Sequence, residues 1–175
     1  MSPSAGELSF NLDRQPAAVL RSKRPRLLRV HKTSTKRNHE LEKFVFASIA
    51  AFIFIFFWGW LYNGVLLKDV LAQAQSLFRP REEIMGLFQW IVIGDAGLAL
   101  SFVMIYASGF AGGGIAAGVR LGIMLEILAV SARCMIYATQ PFPAKLLVLA
   151  SIGGFIEMIV TGIIVGAIYK PKPNA

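Results

Sequence analysis

The sequence contains almost no cysteine or histidine. Cys134 is the only cysteine among 175 residues, which excludes an intramolecular disulfide and a Cys-x-x-Cys metal or redox site. The two histidines, His31 and His39, lie near the N-terminus, and neither has a second metal ligand at the usual spacing. We therefore expect no metal site and no cofactor.

Recognisable catalytic sets are also missing. A Ser-His nucleophile pair requires a histidine, but Ser101, Ser108 and Ser131 lie in apolar segments that contain none. The glycine-rich segment GFAGGGIAAG lacks the Gly-Lys-Ser/Thr of a phosphate-binding loop and follows no predicted strand. The sequence therefore predicts a protein that is not an enzyme.

Charged residues are scarce beyond the first 43 positions. They make up 16 % of the chain, and hydrophobic residues make up 55 %, whereas a typical soluble domain has about 25 % charged residues. Four long apolar runs occupy residues 44–67, 87–108, 115–138 and 146–169. Each is close to the ~20 residues with which a helix crosses a bilayer. We therefore predict an all-α integral membrane four-helix bundle over residues 44–170.

Positive charge is concentrated in residues 1–43. This segment holds ten of the 18 Lys and Arg and four acidic residues, so it carries +6 of the formal net charge of +8. It has no apolar core like that of a signal peptide, and we predict a disordered, basic, cytoplasmic tail. Because a membrane helix follows it, we expect it to bind anionic lipid headgroups and favour this over nucleic acid or a mitochondrial presequence. Its most basic stretch contains Arg21, Lys23, Arg24, Arg26 and Arg29.

The distribution of cations also predicts the topology. With the tail inside, thirteen Lys and Arg lie on the inner side and four on the outer side. The positive-inside rule then places both termini in the cytoplasm. The short proline-rich loop TQPFPAK predicts that the third and fourth helices pack side by side. Trp58, Trp60 and Tyr62 mark the outer end of the first helix, where aromatic rings favour the membrane interface.

The third apolar run contains an acidic and a basic residue in its interior. Small residues permit close approach of a second helix, and polar residues bond across to it. The residues of this stripe are three or four positions apart, so they share one helix face that we predict to look inward. The stripe comprises Gly118, Gly122, Glu126, Ala129, Arg133 and Tyr137.

Two further carboxylates lie at similar depth, Asp95 in the second run and Glu157 in the fourth. From their depths we expect Arg133 to neighbour Asp95 and Glu126 to meet Glu157. One arginine does not neutralise three carboxylates, so we expect at least one of Glu126 and Glu157 to be protonated at neutral pH. The candidate ligand- or ion-binding set also includes two residues after the first helix, Asn63 and Lys68.

Two functions fit ionisable residues at membrane depth. They can join the helices, which predicts a non-enzymatic structural or accessory component of a larger membrane complex. Alternatively, they serve a small proton- or cation-coupled transporter. Four helices leave little room for a channel in one protomer, so transport would require a homo-oligomer, for which Gly162-x-x-x-Gly166 is a candidate dimer face.

Four segments carry a resemblance to a known family. They are WGWLYNGVLLKDVLAQ, WIVIGDAGLALSFVMIYASG, GGGIAAGVRLGI and GGFIEMIVTGIIVGAIYKP. Their order resembles small bacterial four-helix integral membrane proteins of a domain-of-unknown-function family, over residues 45–171. The resemblance implies a four-helix fold in the bacterial inner membrane and no particular activity, and it excludes the basic tail. The family-like positions are Asn63, Lys68, Asp69, Asp95, Arg120, Glu157 and Tyr169.

Overall fold

The computed structural model describes the backbone of residues 16–169 and the side chains of residues 38–169. This part of the chain is helical and contains no strand. The α-helices are α1 (Pro16–Leu61), α2 (Lys68–Gln73), α3 (Arg81–Gly86), α4 (Phe88–Ile105), α5 (Gly114–Thr139) and α6 (Ala144–Ile168). Shorter turns connect them, which are the π-helical Tyr62–Leu66 and Tyr106–Phe110 and the 3₁₀-helical Gln75–Leu77.

Four helical segments are long and apolar enough to cross a membrane. They are Asn38–Leu66, Phe88–Phe110, Gly114–Thr139 and Ala144–Ile168. Each coincides with one of the four apolar runs to within a few residues at most ends, so the prediction of four such helices is confirmed. The first segment begins before the predicted run, because the helix continues without a break from the polar residues that precede it.

The N-terminal region differs from its prediction. Helix α1 begins at Pro16, whereas the sequence predicts disorder up to residue 43. Proline is favoured at the first position of a helix, and the Ala, Leu, Arg and Lys residues that follow are good helix formers. The first 15 residues, residues 170–175 and the side chains of Arg21, Lys23, Arg24, Arg26 and Arg29 lie outside the described part of the chain.

The chain divides into two units, Met1–Leu41 and Glu42–Ala175. The second unit contains one buried apolar cluster, to which both α1 and α4 contribute. Its members from these two helices are Ala47, Ala51, Ile55, Ala99, Phe102 and Val103. All the residues of the candidate site lie within this second unit.

Helices α5 and α6 form the most closely packed pair. Residues 140–143 join them, and so short a connection makes neighbouring helices antiparallel. Gly118 and Gly162 face each other so closely that a methyl group on either would overlap the backbone of the other helix. The prediction that the third and fourth spans pack side by side is confirmed.

This packing also uses the predicted dimer face. Gly162 lies against Gly118, and a Cβ built on Gly166 would lie 2.6 Å from the carbonyl oxygen of Gly114. Both glycines of the Gly-x-x-x-Gly motif are buried within the chain. The motif is therefore not available as a surface for a second copy, because a helix of the same chain already fills it.

The turn between α4 and α5 relies on glycine and tyrosine. Gly112 and Gly114 have φ angles of 97° and 60°, a backbone region that glycine enters without steric cost. The buried Tyr106 hydroxyl donates a hydrogen bond of 3.0 Å to the Gly114 carbonyl oxygen. Its ring centroid lies 5.3 Å from that of Tyr169 at the end of α6. Through these contacts the turn packs against the start of α5 and the end of α6.

Candidate functional site: a polar seam on α4, α5 and α6

Glu126 on α5 is the most deeply buried charged side chain among the described residues, with 1 % of its surface exposed. Its Oε1 accepts a hydrogen bond from Arg133 Nη1, and the two groups form an ion pair. They are seven residues apart, which is two helical turns. Side chains on a helix lean towards its N-terminus, so the long Arg133 side chain reaches back to the carboxylate. Helix α5 therefore supplies both charges of the pair.

Gly154 on α6 provides the space for the Glu126 carboxylate. A Cβ at Gly154 would overlap that carboxylate. The contact continues a regular series in which each step advances four residues along α5 and goes back four residues along the antiparallel α6. The facing pairs are Gly114 with Gly166, Gly118 with Gly162, Gly122 with Met158 and Glu126 with Gly154. The glycine contacts that join the two helices therefore end at the buried charge.

Arg133 is less enclosed than its partner, with 32 % of its side chain exposed. It borders a cavity of about 140 Å³ at the end of the α5–α6 hairpin. The other lining residues are Ile136, Tyr137, Phe142, Leu146, Leu147 and Ala150. The predicted inward face is thus buried from Gly118 to Glu126 and opens at Arg133 and Tyr137, which is exposed.

Asp95 and Glu157 are both half-buried. The Glu157 carboxyl lies close enough to Asp95, Glu126 and Arg133 to interact electrostatically with each of them. We call these four residues the polar seam. Between residues 38 and 169, neither Asp95 nor Glu157 has a hydrogen bond or an ion pair through its side chain. The structure therefore brings the four predicted residues together and leaves two of them without a direct partner.

The pairing inside the polar seam differs from the expected one. The sequence places Arg133 beside Asp95 by depth, but its ion pair is with Glu126. Depth arguments compare helices with one another, whereas two turns of one helix already bring a carboxylate within reach of an arginine. Glu126 and Glu157 lie close enough to interact electrostatically, as expected.

Asn63 and Lys68 do not join the polar seam. Both side chains are exposed, and Asn63 Nδ2 donates a hydrogen bond of 3.1 Å to the carbonyl oxygen of Gly59, one turn back. Asparagine side chains often bond to nearby backbone groups in this way. The structure therefore does not bring these two candidate residues to the other four.

Two aromatic side chains have a contact that the sequence did not indicate. Trp58 Nε1 donates to the Gly153 carbonyl oxygen at 3.1 Å, and the Tyr62 hydroxyl donates to the Leu149 carbonyl oxygen at 2.7 Å. Their rings lie nearly parallel with centroids 5.4 Å apart. We predicted these residues only as interface aromatics. The four-residue spacing of Trp58 and Tyr62, which puts both on one helix face, was the available signal.

Thr161 is another residue that sequence reasoning missed. It is fully buried on α6, and its hydroxyl has no hydrogen-bond partner. It lies four residues after Glu157, so the two side chains share a face of the helix. A buried hydroxyl without a partner is costly and identifies this part of α6 as a polar site.

Among residues 38–169, no group of three or more His, Cys, Asp or Glu is placed to hold a metal ion. No family model, curated protein or solved structure matches the chain. Any proposal about function therefore rests on the arrangement of the chain's own residues.

Proposed function

We propose that the chain is an integral membrane protein that crosses the bilayer four times and acts as a non-enzymatic structural or accessory component of a membrane assembly. One observation carries the proposal, which is the enclosed Glu126 carboxylate and its ion pair with Arg133. A carboxylate that is 1 % exposed and already paired is poorly placed to meet a substrate. It is well placed to fix the register of α5 against α6, the best-attested use of buried polar groups.

The outer surface of the helices supports this role. Large apolar side chains of α1 and α4 are exposed, including Phe46, Phe57, Trp60 and Trp90. Apolar surface of this extent has to be covered by lipid or by other membrane helices. An accessory subunit would present part of this surface to a partner in the same membrane.

The location follows from charge and resemblance. The excess of cations in residues 1–43 supports cytoplasmic termini and attraction of the tail to anionic headgroups. The resemblance to small bacterial four-helix proteins supports the inner membrane. Deleting residues 1–40 and measuring membrane localisation tests the role of the tail, which we expect to strengthen surface attachment without being needed for insertion.

The proposed function is tested by purification in a mild detergent followed by native mass spectrometry. We expect the chain to retain a partner subunit at fixed stoichiometry, and the purified chain alone to carry no proton or cation flux in liposomes. A chain that is always isolated without partners and transports ions by itself would overturn the proposal.

A second candidate is a small proton- or cation-coupled transporter acting as an oligomer. One observation favours it, which is the presence of three carboxylates in the polar seam beside a single guanidinium. If this function is correct, liposomes containing the wild-type chain will show flux that disappears when Glu126 and Glu157 are both replaced by Gln. An accessory role would survive that double substitution as long as the fold does.

A further inference from the structure

We infer that Glu157 and the Thr161 hydroxyl one turn away form a proton-binding site in the middle of α6. In this site the Glu157 carboxylate takes up one proton and becomes a carboxylic acid, with no other bond made or broken. The inference goes beyond the accessory role and does not depend on it.

The distribution of charge selects Glu157 over Glu126. Sequence reasoning leaves both open, but the structure gives Glu126 its own counter-ion, Arg133. Glu157 interacts with two other carboxylates, Asp95 and Glu126. Ionised groups removed from water need a partner of opposite charge, so of Glu126 and Glu157 it is the unpaired Glu157 that binds a proton.

The groups around Glu157 can be named helix by helix. Helix α4 contributes Asp95, and α5 contributes Glu126 with Arg133, while the other charged residue of α5, Arg120, is exposed. The apolar part of α1, residues 44–61, contains no charged side chain. On α6 itself the other charged residue is Lys145, three turns away. Apart from the guanidinium already bound to Glu126, no cation is therefore placed against Glu157 by these helices.

Thr161 gives an independent reason for a site at this position. Its hydroxyl is fully buried and has no partner, and its spacing from Glu157 puts both on one face of α6. An ionised carboxylate only accepts hydrogen bonds, whereas a carboxylic acid both donates and accepts. A protonated Glu157 can therefore satisfy the hydroxyl in either direction, directly after a side-chain rotation or through one bridging water.

Glu157 is also less enclosed by the protein than Glu126. It is half-buried, while Glu126 is enclosed by Arg133 and Gly154. Proton uptake at Glu157 leaves the ion pair intact, because Glu157 takes no part in it. Proton binding and helix packing are thus assigned to different carboxylates.

The test is infrared spectroscopy of the full chain in lipid nanodiscs at neutral pH. We expect a carboxylic C=O band in the wild type that disappears in Glu157→Gln. The band should persist in Glu83→Gln, the matched control, because Glu83 is exposed on α3 and pairs with Arg79 at 3.6 Å. Thermal unfolding of each variant shows that the fold is retained, which we expect for Glu157→Gln because Gln resembles the protonated acid.

Two further variants test the neighbours. Asp95→Asn removes a like charge and should weaken proton binding at Glu157, because a neighbouring carboxylate favours the protonated form. Thr161→Val should shift the frequency of the C=O band without removing it, because the acid loses a hydrogen-bonding neighbour. A wild type without the band, or a band that survives Glu157→Gln, would overturn the inference. Co-purification of a partner with Glu157→Gln would still support the accessory role.

Discussion

Glycine has opposite roles in α4 and in the α5–α6 pair. On α4, Gly94 and Gly97 are exposed, and a Cβ built on either would meet nothing within 4 Å. On α5 and α6, Gly118 and Gly162 leave no room for a Cβ because the backbones touch. The comparison shows that glycine content alone does not reveal a helix contact. Glycine lies at a helix contact in the α5–α6 pair but on open surface in α4.

Charge shows the same contrast. On helix α5, Arg133 neutralises the buried Glu126 from two turns away. Helices α4 and α6 each carry a carboxylate without a direct partner, Asp95 and Glu157. The Glu126 charge at the α5–α6 interface is thus compensated by Arg133. Among the described residues, the carboxylates of Asp95 and Glu157 have no direct counter-ion. Substitutions on the two sides of these contrasts should therefore differ in their effects.

The largest effect is expected from Arg133→Gln. It leaves the buried Glu126 carboxylate without a counter-ion, and breaking a buried pair in this way costs about 3 kcal/mol or more of unfolding free energy. The measurement is unfolding by SDS in bicelles at neutral pH. The double variant Glu126→Gln/Arg133→Gln should recover most of the loss, because removing both partners leaves no buried charge. Equal losses in the single and double variants would show that the ion pair is not the cause.

Gly118→Ala should be next in size. Its methyl group would overlap the Gly162 backbone, and forcing extra atoms into a packed contact costs about 1–3 kcal/mol. Gly97→Ala is the matched control on α4, where we expect no loss and a gain of up to about 1 kcal/mol from helix propensity. Similar behaviour of the two variants in the same assay would remove the contrast between the helices.

Smaller effects are expected where α1 is hydrogen-bonded to α6. Trp58→Phe and Tyr62→Phe each remove one donor to an α6 carbonyl oxygen, at a cost of about 1 kcal/mol. Trp60→Phe is the control because Trp60 is exposed. A loss in the control as large as in Tyr62→Phe would point to the interface position of the rings and away from the hydrogen bonds.

The smallest effects are expected at the two candidate residues that lie outside the polar seam. Asn63→Ala and Lys68→Ala should change the unfolding free energy by no more than about 0.5 kcal/mol, as is usual for exposed positions. They should also leave the carboxylic C=O band of the wild type unchanged. A change in that band in either variant would show that the substituted residue influences the polar seam.

The sequence predicted what depends on the composition of single helices. The four apolar runs identified the spanning helices, and the spacing of Gly118, Gly122 and Glu126 identified the buried face of α5. Which helix fills that face depends on contacts between helices. Spacing on one helix therefore did not show that Gly162 and Gly166 pack within the chain, or that Gly154 makes room for Glu126.

Pairing of charges was harder to predict than their proximity. Their depths in the membrane predicted that Asp95, Glu126, Arg133 and Glu157 lie near one another. The depths did not predict which carboxylate pairs with Arg133. That choice depends on side-chain direction along α5, which depth does not report. Thr161 was missed because a single threonine in an apolar helix usually bonds to its own backbone, and only the structure shows that its hydroxyl has no partner.

The central claim is that Glu126 is enclosed between α5 and α6 and does not face lipid. Carbene photolabelling from a lipid-embedded probe, read residue by residue by mass spectrometry, tests it without any substitution. Leu128, two residues away and 68 % exposed, is the internal reference. We expect strong labelling of Leu128 and none of Glu126. Labelling of Glu126 to the same degree as Leu128 would contradict the account.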